Sequence, residues 1–468
     1  MRVWARLGLV LLSAGVLALC FPPIGAWPLV VVALVPLFLA VRGTTPRGAF
    51  YLGVLHGLAL YAATLYWLFS IFAVAAIPLF YILALFTGVF CLLLRALTQR
   101  NWSPYLLVLL TATCWTGLEF YRSELFFLRF PWISTGSAMG PTCLSPLVGV
   151  YGATFLIVLA TAALFYRETW RAGVVLALGL LVIGALRPGP VELADGEGFT
   201  VAVVQSEEGF LGTYAALTRS VAADRPALVV WPEYSLPYDV RERPWDVASL
   251  QALCAELDTT LVLGTKTVVG PGPKDWRNTA LTLNADGVVG EYYKARPVHF
   301  FNDGIAGTVF DPIATTLGPV GTPVCFDCDN TTVAQAITAR GAQCFAVPIF
   351  DAESWGAIQH VQHAALIRLR AAENARWFAC AASSGVSQII DPHGQVHASL
   401  PPLTAGVVTG RIACRTDRTV FTRFGWLLPW ATLVVTVGFT LLVAITAFAN
   451  RRRAIRAAPD DDQGRLAR

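Results

Sequence analysis

The sequence predicts a two-part fold: a polytopic α-helical membrane domain of about eight spans, with a layered α/β domain between the seventh span and the last. Three observations carry this. Residues 1–186 and 425–449 hold long apolar runs, while the middle of the chain has ordinary composition. Overall, 56% of residues are hydrophobic and 14% charged, with a mean hydropathy of +0.60, which excludes an ordinary soluble protein. Across the middle, short β-prone runs alternate with amphipathic helical stretches, as in an α/β layer fold.

A helix needs about 20 apolar residues to cross a bilayer. Seven candidates precede the α/β region, at about 5–22, 26–41, 49–70, 72–94, 104–121, 144–166 and 172–186, and an eighth lies at about 425–449. The first resembles a signal peptide but lacks a small-residue cleavage site, so it reads as a retained helix. Arginines set the orientation. Arg2, Arg6, Arg42, Arg47, Arg95, Arg100, Arg167, Arg171 and Arg451 to Arg453 all fall on one side, the cytoplasmic side. The exception is the stretch 121–139, with Arg122 and Arg129, long enough to be a folded outer loop. An odd number of spans then puts the α/β region outside the cytoplasm. The expected division is a seven-span membrane domain at 1–189, an extracytoplasmic α/β domain at 190–420, a final span at 421–449 and a charged cytoplasmic tail at 450–468. The net charge of +4 comes partly from flanking arginines, and nucleic-acid binding has no support. The ten cysteines follow neither a disulfide-scaffold nor a zinc spacing, so no metal is expected.

Residues 186–197 read as a Pro/Gly linker. Beyond it, strands are expected at 199–205, 227–231, 260–264, 279–284, 288–292, 344–350, 377–382 and 405–412, and helices at 214–223, 245–257, 331–340 and 357–375. Ala285-Asp286-Gly287 marks a hairpin, and Asp391-Pro392-His393-Gly394 a second.

Three strand ends carry polar residues that a packed sheet does not need. The first is Glu233, closing an apolar run in Trp231-Pro232-Glu233; the second is Lys294, after the first hairpin. The third is Cys325 in the stretch 321–330, GTPVCFDCDN, where residues 322–324 read as a strand and Asn330 as the N-cap of the next helix. A cysteine where a strand gives way to a helix feels the helix dipole, which lowers its pKa. Taken singly, they read better as a solvated glutamate, a surface lysine and a buried apolar cysteine. Together, a carboxylate, an ammonium and a thiol suit acyl transfer through a thioester. Cys325 with Cys328 also has the spacing of a redox pair, though a redox motif does not require the glutamate and lysine. His360 and His363 share a helix face without a third ligand and read as a polar face; Arg368, Arg370 and Glu373 read as surface or packing ion pairs.

The order Trp231-Pro232-Glu233, Tyr292-Tyr293-Lys294, Val324-Cys325-Phe326-Asp327 resembles the Glu-Lys-Cys triad of the carbon–nitrogen hydrolase (nitrilase) superfamily, as do residues 383–386 and 389–394 its late strands. That resemblance implies an α-β-β-α sandwich. Phe21-Pro22-Pro23 with Trp27-Pro28, Leu65-Tyr66-Trp67-Leu68, and Phe130-Pro131-Trp132-Ile133 with Gly136 further resemble the apolipoprotein N-acyltransferases, from about residue 20 to 450. The resemblance implies Glu233 as general base, Lys294 as oxyanion stabiliser and Cys325 as nucleophile, with no cofactor. It implies a membrane phospholipid as acyl donor and a diacylglyceryl lipoprotein as acceptor. The setting implied is a bacterial inner membrane with the catalytic domain on the periplasmic side.

Two departures stand out. Where the family has a second glutamate eight residues after the lysine, this chain has Asn302, with Asp303 one step beyond; where the acyltransferases have Cys-Tyr-Glu, it has Cys325-Phe326-Asp327. Asn302, Asp327 and Trp355 are candidate substrate-binding residues. Two alternatives stay open: a membrane-bound amidase of the same superfamily, with water as acceptor, and a catalytically inactive lipoprotein-binding homologue.

Overall fold

The computed structural model describes residues 1–456. Eight helices precede the α/β region: α1 (Val3–Leu19), α2 (Val35–Val41), α3 (Pro46–Thr64), α4 (Leu68–Phe72), α5 (Ala76–Leu97), α6 (Pro104–Phe120), α7 (Ser145–Phe165) and α8 (Trp170–Ala185). Among the described residues, three stretches are long and apolar enough to cross a bilayer: Leu68–Leu97, Ser145–Phe165 and Leu427–Asn450. The apolar stretches Val3–Leu19, Trp27–Val41 and Trp170–Ala185 are shorter. The expected continuous helix over 26–41 is broken: Trp27–Val31 is a 3-10 turn and α2 starts afresh at Val35. Pro28 and Pro36 each stand in a first turn, where their missing N–H is not needed. The span expected from 72 is divided as well, since Ala73 takes a left-handed φ of 46° between α4 and α5.

The α/β region holds twelve strands. The first five are β1 (Phe199–Gln205), β2 (Leu228–Val230), β3 (Thr260–Val268), β4 (Trp276–Asn284) and β5 (Gly287–Tyr293). The others are β6 (Ile313–Thr315), β7 (Gly318–Gly321), β8 (Cys344–Ile349), β9 (Phe378–Ala382), β10 (Gln388–Ile390), β11 (Val396–Ser399) and β12 (Gly406–Ile412). They form two six-stranded sheets, ordered β12-β1-β2-β3-β4-β5 and β11-β10-β9-β8-β7-β6. Its helices are α9 (Leu211–Arg219), α10 (Pro244–Leu257), α11 (Thr331–Ala339) and α12 (Ala357–Asn374); α13 (Val420–Phe424) and α14 (Leu427–Arg456) follow.

The period of two along β1 explains the layering. Val201 and Val203 face the core between the sheets, while Ala202 and Val204 face the layer holding Tyr214 of α9 and Leu250 of α10. In β2 the same split sends Leu228 and Val230 inward and Val229 outward. On the far side, Ile337 of α11 and Ile367 of α12 close over the second sheet, whose β8 is buried along its whole length. Each fully buried Val or Leu contributes about 1.5–3 kcal/mol. The result is an α-β-β-α sandwich of nitrilase type.

Several elements differ from expectation. The hairpin β6–β7 was not expected, being short and rich in Gly and Pro. The strand expected at 322–324 ends instead at Gly321, and α9 begins at Leu211 rather than 214. The expected tail at 450–468 starts as a continuation of α14 to Arg456, and its remainder lies outside the described residues.

The two parts are joined by packing and by polar contacts. Leu366 and Leu369 of α12 belong to the core of the helical region. Asn330 has N-cap backbone geometry, but its side-chain amide donates to the Phe326 carbonyl at 3.3 Å. The N-terminus of α11 is met instead by Glu124 from the helical region, which accepts from Thr331 N at 2.8 Å and from the Thr331 hydroxyl at 2.7 Å. A carboxylate there satisfies an unpaired N–H and complements the helix dipole. In the reverse direction, Glu373 of α12 accepts from Val150 N at 2.8 Å, just past the kink at Gly149. The Arg370–Glu373 pair is thus a buried packing pair, 2.8 Å apart.

Candidate active site

Glu233 lies on the turn that follows β2, and Tyr234 beside it takes a left-handed φ of 57°. The turn packs against Gly264 of β3, where a Cβ would come within 2.4 Å of the Glu233 Cα. Lys294 follows β5, and its backbone N–H donates to Asn278 O at 2.8 Å. Cys325 opens a 3-10 turn, Cys325–Cys328, two residues short of α11, and has a φ of 49°. That left-handed conformation is uncommon for a side chain beyond Gly.

The three side chains converge in a buried setting, with Glu233 and Lys294 each 2% exposed and Cys325 6%. Lys294 Nζ donates to Glu233 Oε1 at 2.8 Å and lies 2.8 Å from Asp303 Oδ2. Asn278 Nδ2 donates to Glu233 Oε1 at 2.5 Å and to Asp303 Oδ1 at 2.7 Å, and the Tyr234 hydroxyl donates to Asp303 Oδ1 at 2.5 Å. The Phe350 peptide links this cluster to the thiol: its N–H donates to Glu233 Oε2 at 2.9 Å, and its carbonyl accepts from Cys325 Sγ at 3.7 Å.

The electrostatics separate the two carboxylates. Burial raises the Glu233 carboxyl above its ordinary value, against the pull of Lys294, and the Asp303 charge adds to the rise. At Asp303 burial acts in the same direction, but Lys294 and the hydrogen bonds outweigh it and hold the carboxyl below the ordinary value. Asp303 therefore stays anionic beside a firmly charged Lys294, and Glu233 is the group with affinity for a proton. Contrary to the helix-dipole expectation, the Cys325 thiol is pushed well above its ordinary value, by burial first and by the Glu233 charge second. A thiol held so needs a base as its substrate arrives.

The candidate binding residues separate as well. Asn302 is exposed and lines a cleft of about 1030 Å³ with Lys266, Lys294 and Cys325. The place beside Lys294 is taken by Asp303, the next residue, so the one-residue slip in sequence is absorbed by the loop. Trp355 lines this cleft and also an apolar cleft of about 820 Å³ on the other side of Cys325. Asp327 lines neither; it accepts from Arg296 N at 2.7 Å, Val324 N at 3.1 Å, Ala295 N at 3.2 Å and the Tyr292 hydroxyl at 3.0 Å. It pins the lysine loop to the cysteine turn rather than facing a ligand.

The apolar cleft is shared by the two parts: Leu68, Ile71, Leu79, Leu83 and Trp132 of the helical region line it together with Phe300, Phe326 and Cys325 of the α/β region. His363, expected on a polar helix face, is buried at its wall, with Nδ1 2.8 Å from Asp351 Oδ1 and Nε2 3.1 Å from Asp329 Oδ1. Trp132 stacks on His363 and donates to Asp329 Oδ2 at 2.5 Å. His360 is buried too, its Nε2 2.9 Å from the Ala352 carbonyl. Cys328 is fully buried in the core of the α/β region, which removes the redox-pair reading for it. Asn278 escaped the sequence reading because β4 starts three residues earlier than expected, at Trp276.

Fold and side-chain grouping together define a carbon–nitrogen hydrolase domain, and residues 200–419 match the Carbon-nitrogen hydrolase family. Residues 13–163 match the apolipoprotein N-acyltransferase N-terminal domain. An apolipoprotein N-acyltransferase of Geobacter metallireducens is 30% identical, the match covering 96% of each chain. That of Azotobacter vinelandii is 27% identical over 97% of each. Among solved structures, an amidase from Nesterenkonia sp. AN1 is 19% identical, covering 48% of this chain and 94% of that one, with a TM-score of 0.41. The chain belongs to the apolipoprotein N-acyltransferase family.

Proposed function

We propose that this protein transfers a fatty acyl group from a membrane phospholipid to the α-amino group of a diacylglyceryl-cysteine lipoprotein, through a thioester on Cys325. The observation that carries the reading is the position of Cys325, between a buried Glu233–Lys294–Asp303 cluster and an apolar cleft walled on one side by the helical region. Glu233 takes the thiol proton as the sulfur attacks the ester carbonyl, and the Lys294 ammonium stabilises the oxyanion that forms. Glu233 returns the proton to the leaving lysophospholipid oxygen. The lipoprotein amine then attacks the thioester, gives its proton to Glu233, and the thiol is regenerated. The apolar cleft receives the acyl chain and keeps water from the thioester. Trp355 stands where the polar parts of the substrates pass, Asn302 borders the same cleft without holding either substrate, and Asp327 acts by positioning.

The same reading assigns the chain to a bacterial inner membrane, multi-pass, with about eight spans. Residues 1–189 form the seven-span domain and 421–449 the final span, with residues 190–420 on the periplasmic side; the pattern of flanking arginines supports this orientation. Anchoring both lipid substrates in the same bilayer as the enzyme supplies proximity and orientation. The test is a transfer assay: vesicles of phospholipid labelled in the acyl chain, purified full-length protein and a diacylated lipopeptide. Label on the peptide amine is the expected result. Label released as free fatty acid, with or without peptide, would make the protein a hydrolase.

A further inference from the structure

We propose that Arg129 and Arg296 bind the phosphate of the acyl donor at the rim of the apolar cleft, an inference that rests on the reading of that donor as a phospholipid. Two arginines stand in the outer stretch 121–139, against the pattern of the other flanking arginines. Arg122 is satisfied inside the protein, donating to the Trp132 carbonyl at 3.2 Å and to the Tyr61 hydroxyl. Arg129 has no such internal use. Among the described residues, neither Arg129 nor Arg296 stands in an ion pair.

The chain places both beside the cleft. Arg129 stands between Leu128 and Phe130, and Arg296 two residues before Val298; these three neighbours line the apolar cleft, as do His299 and Phe300. His299 is exposed and Phe300 is 67% exposed, so this edge of the cleft is open at the surface. The two loops touch here, with the Phe127 and His299 rings edge to face and their centroids 6.0 Å apart. The lysine loop is in turn bonded to the cysteine turn: Arg296 N donates to Asp327 Oδ1 at 2.7 Å, two residues beyond Cys325.

Both arginine side chains are half-buried, and Arg296 Nε is buried without a hydrogen-bond partner. Burial holds the Arg129 guanidinium below its ordinary value; the Arg296 charge adds to this and the Glu124 charge opposes it. Glu124 is committed to Thr331 and Thr332, and Asp327 to backbone N–H groups and the Tyr292 hydroxyl. His299 adds no cation at neutral pH, since burial and then the Arg129 charge lower its imidazole below the ordinary value. Two half-buried cations that repel one another lack the anion that burying a charge calls for. A phosphodiester supplies that charge, with oxygens that accept charge-assisted bonds from guanidinium groups. The donor carries it in the right place. With its acyl chain in the cleft and its ester carbonyl at Cys325, the phosphate, joined to that ester through glycerol, comes to the rim. The pair therefore selects a phospholipid over a neutral acylglycerol with the same chains.

The test follows single-turnover acylation of the full-length protein by intact mass in neutral-detergent micelles. The donors are dioleoylphosphatidylethanolamine and dioleoylglycerol, which share chains and esters and differ by the phosphate headgroup. In Arg129→Gln and in Arg296→Gln the half-saturating phospholipid concentration rises about tenfold, the loss of one charge-assisted contact. Acylation from dioleoylglycerol falls far less, and Arg129→Lys, which keeps the charge, retains part of the preference. Damage to the fold slows both donors alike and leaves their ratio where it was. Inorganic phosphate at constant ionic strength competes with the phospholipid and not with dioleoylglycerol. An unchanged donor ratio in both Gln variants would overturn the proposal and leave acyl transfer standing. Phosphate acting equally on both donors would mark a site for the free ion and overturn it as well. No adduct on wild type from either donor would refute the acyl-transfer reading, and this proposal with it.

Discussion

Replacing Asp303 by Asn tests which carboxylate sustains the charge on Lys294. Lys294 has two carboxylate contacts, Glu233 Oε1 and Asp303 Oδ2, each at 2.8 Å. Removing one partner of a buried ion pair costs about 3–5 kcal/mol. The remaining Glu233 pair, and an amide oxygen that still accepts from Val298 N, put Asp303→Asn at the lower end, about 3 kcal/mol. The same change weakens Glu233 as a base, because part of its raised value comes from the Asp303 charge. A loss of the same size in the oxyanion stabilisation that Lys294 supplies raises the barrier, and about 3 kcal/mol there is roughly a hundredfold loss in acylation rate. Single-turnover acyl-enzyme formation, followed by intact mass in phospholipid micelles, reads it directly. Asn302→Ala is the control: its exposed side chain stands at the cleft mouth, and its rate stays within about twofold of wild type. An Asp303→Asn rate within threefold of wild type, or an Asn302→Ala loss as large as that of Asp303→Asn, would refute the assignment.

Three further outcomes follow from the geometry. Burial pushes the His363 imidazole down, but Asp351 and Asp329 outweigh it and hold it well above its ordinary 6.5. A raised folded-state value makes a contribution that is whole below about 6.5 and is lost only as pH climbs through the elevated value. His363→Gln is therefore less stable than wild type by about 3 kcal/mol at pH 6, 7 and 8 alike; a gap that closes by pH 7 contradicts the charged imidazole. Asp327→Ala strands three backbone N–H groups and the Tyr292 hydroxyl, at about 1–3 kcal/mol for each one left buried, so thermal stability and acylation fall together. An unchanged melting temperature would remove its positioning role. Leu79→Trp narrows the apolar cleft and lowers kcat/KM for long-chain donors about tenfold more than for short-chain donors, a difference of about 1.4 kcal/mol in discrimination; equal losses would place the acyl chain elsewhere.

How much of this was readable in the chain depended on the period and length of each signal. The split of Val201 and Val203 from Ala202 and Val204 is a period of two over a full strand, and β1 was found where expected. The hairpin β6–β7 has strands of three and four residues, too short to show any period. Asp303 was visible only as the residue one step beyond Asn302. Its contact with Lys294 depends on a loop conformation that residue spacing does not encode. The Cys325 thiol was misjudged because a dipole argument reads local chain geometry, whereas burial and the Glu233 charge come from strands distant in sequence. For the same reason Asn330 looked like a cap, while the carboxylate that reaches α11 belongs to Glu124, far away in the helical region. Contacts between the two parts, such as Trp132 with Asp329, leave no pattern in either stretch alone.

The central claim is a thioester on Cys325, and intact mass spectrometry of the full-length protein tests it most directly. Wild type and Cys325→Ala would be measured in phospholipid micelles, before and after adding a diacylated lipopeptide. The account predicts a fatty-acyl adduct on wild type alone, lost as the peptide amine gains the same mass. An adduct of equal yield on Cys325→Ala, or none on either protein while the peptide is still acylated, would contradict it.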